Sequence, residues 1–274
     1  MSVSVWHAHG LGNDYLVWEG GTPLSQEQVR ALCDRKEGVG ADGVLEPRDS
    51  SEADHGVRIW NPDGSVAEKS GNGLRIFAVW LAENRDAGTE FTVHTGTDRV
   101  SCWILEDTVR VAMGRATSQP EAIPVRVLTH ERPFTLGEET VRVTAVGMGN
   151  PYAVIFVTDP LDEVPWRRWG RLLEEHPDFP NRTNVQVARM VDRTTIEARI
   201  WERGAGETQA SGSSACAVVA AAAWTGRGAR GEVRVRMPGG TLKVTLSSEE
   251  EVMLEGPVEA IGRVVLDEEE WAGI

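Results

Sequence analysis

The sequence predicts an α/β (α+β) protein of two pseudo-symmetric domains, each a mixed sheet or barrel wrapped around one central buried helix. Three observations predict it. Short runs of β-branched and aromatic residues recur along the whole chain. Two helix-length segments are apolar nearly all round, as befits helices without a solvent face. The polar motifs that open these elements occur twice, in the same order. At 274 residues, with 41% apolar and 26% charged, the chain suits one large domain or two of ordinary size with a buried core.

In the first half, strands are expected at Tyr15 to Trp18, Val57 to Trp60, Glu90 to His94, Arg99 to Leu105 and Val109 to Met113. The second half offers Val141 to Val146, Tyr152 to Val157, Asn184 to Met190, Thr195 to Trp201, Glu232 to Met237 and Thr241 to Leu246. Val233 to Met237 alternates apolar and charged residues, as a half-buried strand does. Pro238-Gly239-Gly240 after it is a turn, with φ preset by proline and positive φ permitted by glycine. One buried helix runs from about Asn72 to Glu83 through Leu74, Ile76, Phe77, Val79, Trp80 and Leu81. The other runs from about Ser213 to Trp224 and is almost all alanine and valine.

The repeat ties these elements together. Gly12-Asn13-Asp14-Tyr15 matches Gly149-Asn150-Pro151-Tyr152, each opening a strand, and Ser70-Gly71-Asn72-Gly73 matches Ser211-Gly212-Ser213-Ser214, each opening a buried helix. Asn13 precedes Ser70 by 57 residues and Asn150 precedes Ser211 by 61. Nine residues before each serine, a polar residue ends a strand, Asn61 in one half and Glu202 in the other. We therefore expect domains at 1–115, with 262–274 returning to it, and at 116–261, joined near Arg115 to Pro124. A pseudo-twofold pair would bring the two helix N-termini face to face across a cleft.

Charge narrows the function. Lys plus Arg total 28 against 42 acids, a formal charge of −14, which disfavours nucleic acid and anionic lipid as partners. The acidic stretches Glu249 to Glu251 and Asp267 to Glu270 read as solvated faces. No run of about 18 apolar residues predicts a membrane span, and Met1 to Gly10 lacks the pattern of a signal peptide. Cys33, Cys102 and Cys216 form no C-x-x-C pair, so neither a disulfide framework nor a zinc ribbon organises the fold. A cytoplasmic location is expected.

A helix N-terminus presents unpaired backbone N–H groups and a partial positive charge. On one helix, Ser-Gly reads as an ordinary N-cap; at two matched repeat positions it reads as a carboxylate site. Gly71, Gly73 and Gly212 would let a ligand approach the backbone. Asn61-Pro62-Asp63-Gly64 and Glu202-Arg203-Gly204-Ala205-Gly206-Glu207 are polar loops after strands. There Glu202 suits a substrate ammonium and Arg203 a second carboxylate. Gly38-Val39-Gly40-Ala41-Asp42-Gly43 fits G-x-G-x-x-G but leads into the strand-like Val44-Leu45-Glu46, so it is no dinucleotide loop. The six histidines are scattered, and His7 and His9 lack further metal ligands.

His9-Gly10-Leu11-Gly12-Asn13-Asp14-Tyr15, Asn61-Pro62-Asp63-Gly64-Ser65, Gly71-Asn72-Gly73, Met148-Gly149-Asn150-Pro151 and Glu202-Arg203-Gly204-Ala205-Gly206-Glu207-Thr208-Gln209-Ala210 resemble the diaminopimelate epimerase family, in order and over nearly the whole chain. The resemblance implies a diaminopimelate-epimerase-like fold. It also implies inversion of one α-carbon of L,L-diaminopimelate to the meso form, a step in lysine and peptidoglycan precursor synthesis. No pyridoxal phosphate, metal or nucleotide is implied, and a homodimer is. Carried over by position, Asn13, Asn61, Asn150 and Asn184 would orient the substrate. Gly71 with Asn72, and Gly212 with Ser213, would give N–H groups to the reacting carboxylate. Glu202 and Arg203 would also touch substrate. Gly43 stands where the family often has glutamine.

The chain departs from the family at the residues that move protons. Both cysteine positions are serine, Ser70 and Ser211, and the histidine of the Gly-Asn-Pro-His motif is Tyr152. A helix N-terminus can tune a thiol to thiolate, whereas a hydroxyl is a far weaker acid that needs an adjacent base. Three readings follow. The first is an epimerase working through the two serines. The second uses Glu202 as a single base in a one-sided reaction. The third is a paralogue that binds an amino acid without turnover.

Overall fold

The computed structural model describes residues 3–127 and 130–267 and divides into two compact units, Met1–Val111 with Gly256–Ile274, and Ala112–Glu255. Met1, Ser2 and the acidic residues Glu268 to Glu270 lie outside the described residues, as does the remainder of the returning C-terminal segment. The strands are β1 (Val3–Gly10), β2 (Asn13–Trp18), β3 (Val44–Arg48), β4 (His55–Trp60), β5 (Val66–Ala67), β6 (Glu90–His94), β7 (Arg99–Ile104), β8 (Val109–Arg115) and β9 (Arg132–Leu136). They continue with β10 (Glu139–Gly147), β11 (Pro151–Val157), β12 (Asn184–Asp192), β13 (Thr195–Glu202), β14 (Gly206–Thr208), β15 (Gly231–Met237), β16 (Gly240–Leu246), β17 (Glu251–Gly256) and β18 (Glu259–Leu266). The helices are α1 (Gln26–Cys33), α2 (Gly71–Asn84), α3 (Trp166–Glu174) and α4 (Gly212–Trp224).

The first unit pairs its strands in a fixed series. β1 and β2 are antiparallel, β2 and β3 parallel, β3 and β4 antiparallel. β4 then takes β5 antiparallel and β6 parallel, and β7 and β8 follow antiparallel. The second unit repeats the series. β10, β11, β12 and β13 pair antiparallel, parallel and antiparallel. β13 takes β14 antiparallel and β15 parallel, and β16 and β17 complete it. Each series gains one strand at its start, β18 on β1 and β9 on β10, both antiparallel. The motif repeat is thus a topological repeat.

Composition explains the central helices. In α2, Leu74, Ile76, Phe77, Trp80 and Leu81 are all buried, with the helix packed against β1, β2 and β7. In α4, every residue from Ser214 to Ala222 is buried, and strands from β10 to β16 surround it. Burying each large apolar side chain stabilises the fold by roughly 1.5–3 kcal/mol, so these helices form because their sheets enclose them, alanine being small enough to bring strands close. Met237 pairs directly with Gly240 across Pro238-Gly239, and Gly240 takes φ 142, a value that side chains disfavour. Gly38 to Gly43 leads into strand β3, as its sequence context requires.

Several elements exceed the sequence expectation. β1 and β18 form the longest antiparallel pair of the first unit, from Val3 opposite Leu266 to His9 opposite Glu259. α1 is fixed by a capping box in which Ser25 and Gln28 bond each other's backbone. α3 begins after Pro165 and buries Trp166, Trp169 and Leu173 on one face.

Candidate active site

In the first unit, Ser70 closes the start of α2 with extended backbone (φ −136, ψ 118). Its Oγ accepts from the Gly73 N–H at 3.0 Å and lies 3.1 Å from the Tyr15 hydroxyl on β2. Its carbonyl accepts from the Leu74 N–H at 2.9 Å, starting the helical ladder. The N–H groups of Gly71 and Asn72 belong to the first turn, which has no intrahelical acceptor. Lys69, the sequence neighbour of Ser70, pairs with Asp98 at 2.7 Å.

A polar chain holds this helix end. The Arg75 guanidinium, fully buried, donates to Asn72 Oδ1 at 2.7 Å and to the Gly71 carbonyl at 3.2 Å. Asn72 Nδ2 donates to Asn13 Oδ1 at 3.0 Å, and Asn13 Nδ2 donates to Asp42 Oδ2 at 2.8 Å. Arg35 bridges Asp42 and Asp14, 2.7 Å from each, and His7 Nε2 lies 2.7 Å from Asp14. Of the expected site residues, Asn13, Ser70, Gly71 and Asn72 are therefore brought together. Asn61 lies in its own turn, its amide donating to Ser65 Oγ at 2.9 Å. A cavity of about 600 Å³ in this unit, bordered by Trp18, Phe77, Trp80 and Arg85, includes none of these residues.

Asp14 is the carboxylate around which the charges of this network gather. Burial raises its carboxyl pKa, but bonds to His7 and Arg35, the Arg35 charge and a bond to Asp42 outweigh it and hold the group well below the usual carboxylate range. A depressed folded pKa contributes stability above the unfolded value, about 3.9, that is lost as pH falls through the folded value. We therefore expect acid to loosen the network from about pH 4 downward. Tryptophan fluorescence against pH, with Asp14→Asn as reference, checks this; identical acid limbs in the two chains would contradict it.

In the second unit, Ser211 starts α4 with nearly the backbone of Ser70 (φ −145, ψ 122). It is 8% exposed, its carbonyl accepts from the Ala215 N–H at 3.0 Å, and its side chain makes no cap hydrogen bond. Gly212 is buried and Ser213 half-buried beside it. The buried Tyr152 hydroxyl bonds the side chains of Ser213 and Asn150, and burial pushes its phenol well above the ordinary range. Arg203 donates to Asn150 Oδ1 at 3.1 Å and to the Asn181 carbonyl at 3.2 Å, while its backbone N–H donates to Asn184 Oδ1 at 3.0 Å. Glu202 Oε1 accepts from Thr208 at 3.1 Å. Asn150, Asn184, Glu202 and Arg203 thus share one loop cluster, tied through Tyr152 to the start of α4.

Glu174, at the end of α3, underpins that cluster. It is 4% exposed and accepts from Arg182 at 2.5 Å, the Trp201 indole at 2.7 Å and the Gly204 N–H at 2.7 Å. Sequence reasoning missed Glu174, Arg75, Asp42 and the Tyr15 hydroxyl. Only Tyr15 carried a signal, because the chain's two tyrosines, Tyr15 and Tyr152, occupy matched repeat positions.

All three thiols are buried. Cys216 lies one turn inside α4 at 0% exposure, and burial pushes Cys33 and Cys102 up to about 12. Gly43 sits against Tyr15, and a Cβ there would lie 2.5 Å from the Tyr15 ring and 2.4 Å from the Trp60 carbonyl. Among the described residues, no group of three or more His, Cys, Asp or Glu could hold a metal ion.

Known proteins share this organisation. The family model described as diaminopimelate epimerase matches residues 5–118 and 144–261. A diaminopimelate epimerase of Desulforudis audaxviator is 41% identical, covering 92% of this chain and 95% of its own. One from Synechococcus elongatus is 38% identical over 94% and 95%. Among solved structures, a hydroxyproline epimerase of Agrobacterium vitis has a TM-score of 0.73 at 16% identity, covering 97% of this chain and 91% of its own. A PhzF-family protein of Bacillus anthracis has a TM-score of 0.70 at 14% identity, covering 97% and 99%. These two likenesses concern the fold.

Proposed function

The chain belongs to the diaminopimelate epimerase family, and on that premise we propose that it inverts one α-carbon of L,L-diaminopimelate to the meso form without a cofactor, using Ser70 and Ser211 where the family has cysteine. One observation carries this reading. Each unit retains a glycine-started helix end behind an extended serine, although the two ends share little other sequence. Backbone N–H groups at such an end favour a carboxylate and favour more strongly the extra negative charge that develops on it when the α-proton leaves. Inversion also needs a group that removes a proton and one that returns a proton. The resemblance assigns one to each unit.

In the second unit Asn150 and Asn184 are proposed to orient the substrate and Glu202 and Arg203 to contact it; in the first, Asn13 and Asn61 orient it and Gly71 with Asn72 gives N–H groups to its reacting carboxylate. Each Arg203 terminal nitrogen, though bonded within the loop, has a second N–H for a carboxylate. The loss of both thiols favours a second reading, an amino-acid-binding chain without turnover. Proton NMR of the protein with L,L-diaminopimelate in deuterated water decides between them. We expect the α-proton signal to fade and the meso isomer to accumulate. Saturable binding with no exchange over days would replace the first reading by the second.

A further inference from the structure

We propose that Tyr15 is the positioning residue of Ser70 in the reaction proposed above, and rests on that reading: its phenol holds Ser70 Oγ and exchanges a proton with it. When Ser70 gives its proton to the α-carbon, the Ser70 O–H bond breaks and a Cα–H bond forms. The Tyr15 O–H bond then breaks as a new Ser70 O–H bond forms, so the negative charge rests on the phenol oxygen rather than on an alkoxide. In the reverse direction the phenolate takes the Ser70 proton as Ser70 takes the α-proton. No oxidant, metal or further reactant is needed.

Three observations carry this. The Tyr15 hydroxyl lies 3.1 Å from Ser70 Oγ, across 55 residues of sequence, at a half-buried position. Ser70 Oγ already accepts from the Gly73 N–H at 3.0 Å. When the phenol donates as well, the serine's own proton points away from both and can be given; when the phenolate accepts, the same contact takes the serine's proton and leaves Ser70 Oγ able to receive one. Gly43 leaves no room between the Trp60 carbonyl and the Tyr15 ring, so the ring is seated rather than free to swing. The chemistry agrees, since a phenol with pKa about 10 stands much nearer a cysteine thiol, about 8.5, than an aliphatic alcohol does. The second unit shows the contrast, with the Tyr152 hydroxyl bonded to Ser213 and Asn150.

The test pairs Tyr15→Phe with Ser70→Cys in a cycle, reading α-proton exchange from L,L-diaminopimelate. Tyr15→Phe should lower kcat by roughly 10²-fold with KM nearly unchanged, and should remove the alkaline limb of the pH profile. In the Ser70→Cys chain, whose thiolate needs no phenol, the same change should cost far less. Equal losses in both backgrounds would mean a merely structural tyrosine and overturn the proposal. A second readout is independent of turnover. The chain has two tyrosines, so ¹³Cζ-tyrosine labelling gives two resonances, with that of Tyr15 assigned by its loss in Tyr15→Phe. Ser70→Ala should shift the Tyr15 resonance and its titration, and an unmoved resonance would overturn the pairing. A shifted resonance with no exchange in any of the chains would uphold the pairing and remove the substrate assignment instead.

Discussion

Replacing both Ser70 and Ser211 by cysteine should raise α-proton exchange from L,L-diaminopimelate by on the order of 10²–10⁴-fold. The expectation follows from acid strength at an unchanged place. Both serines have extended backbone at the N-cap of a buried helix of 13 or 14 residues, so the new thiols would stand at the positive end of a helix dipole. That position lowers a thiol pKa toward neutrality, giving a thiolate able to remove the α-proton and a thiol able to return one. No backbone change is required, because the first-turn N–H groups that would hold the carboxylate remain. Each single substitution should recover only part of the gain, since inversion needs both partners. Measured by NMR in deuterated water, a double variant no faster than the unsubstituted chain would show that the serines are not where the chemistry occurs.

The second large effect concerns stability. Glu174→Ala should destabilise the chain by about 1–3 kcal/mol, read as the urea midpoint at unchanged m-value, and should weaken the amino-acid binding proposed above. The carboxylate is 4% exposed and serves donors from three segments. Arg182 is 46% exposed and can turn to water, so its ion pair adds little to this figure. The half-buried Trp201 indole loses its acceptor, a cost of roughly 1–3 kcal/mol for an orphaned donor, while the exposed Gly204 N–H can turn to water and adds little. Gly204 lies within the loop bearing Glu202 and Arg203, and Trp201 precedes it, so the residues proposed to bind substrate lose their support. Glu174→Gln, which keeps one acceptor oxygen, should fall between. Alanine tolerated with full binding would contradict the role given to Glu174.

What the sequence shows of this fold follows from how locally each element is determined. α2 and α4 are legible because a helix apolar on every side has only one place to go. The β6 and β12 starts are legible because β-branched runs are bounded by polar residues. α1 and α3 are not, because each is short and largely polar or charged on one side, and each depends on packing that the chain supplies from elsewhere. β18 escapes notice because its residues are mostly exposed and only its partner β1 makes it a strand. The same holds at the site. The serine ends and the Glu202 loop are contiguous motifs. The contacts that hold them are not, because Glu174 to Gly204 spans 30 residues and Tyr15 to Ser70 spans 55.

The burial of all three cysteines has a consequence for the conditions this protein can withstand. A proton-transfer site built on thiolates must be guarded against peroxide, alkylating agents and stray disulfide exchange, each of which attacks an exposed sulfur anion. Here the groups at the helix ends are hydroxyls, which none of these reagents attack readily, and the three cysteine sulfurs are buried. The folded chain offers an oxidant no accessible thiolate, so it should keep its structure and its serine ends intact in aerated solution without added reductant.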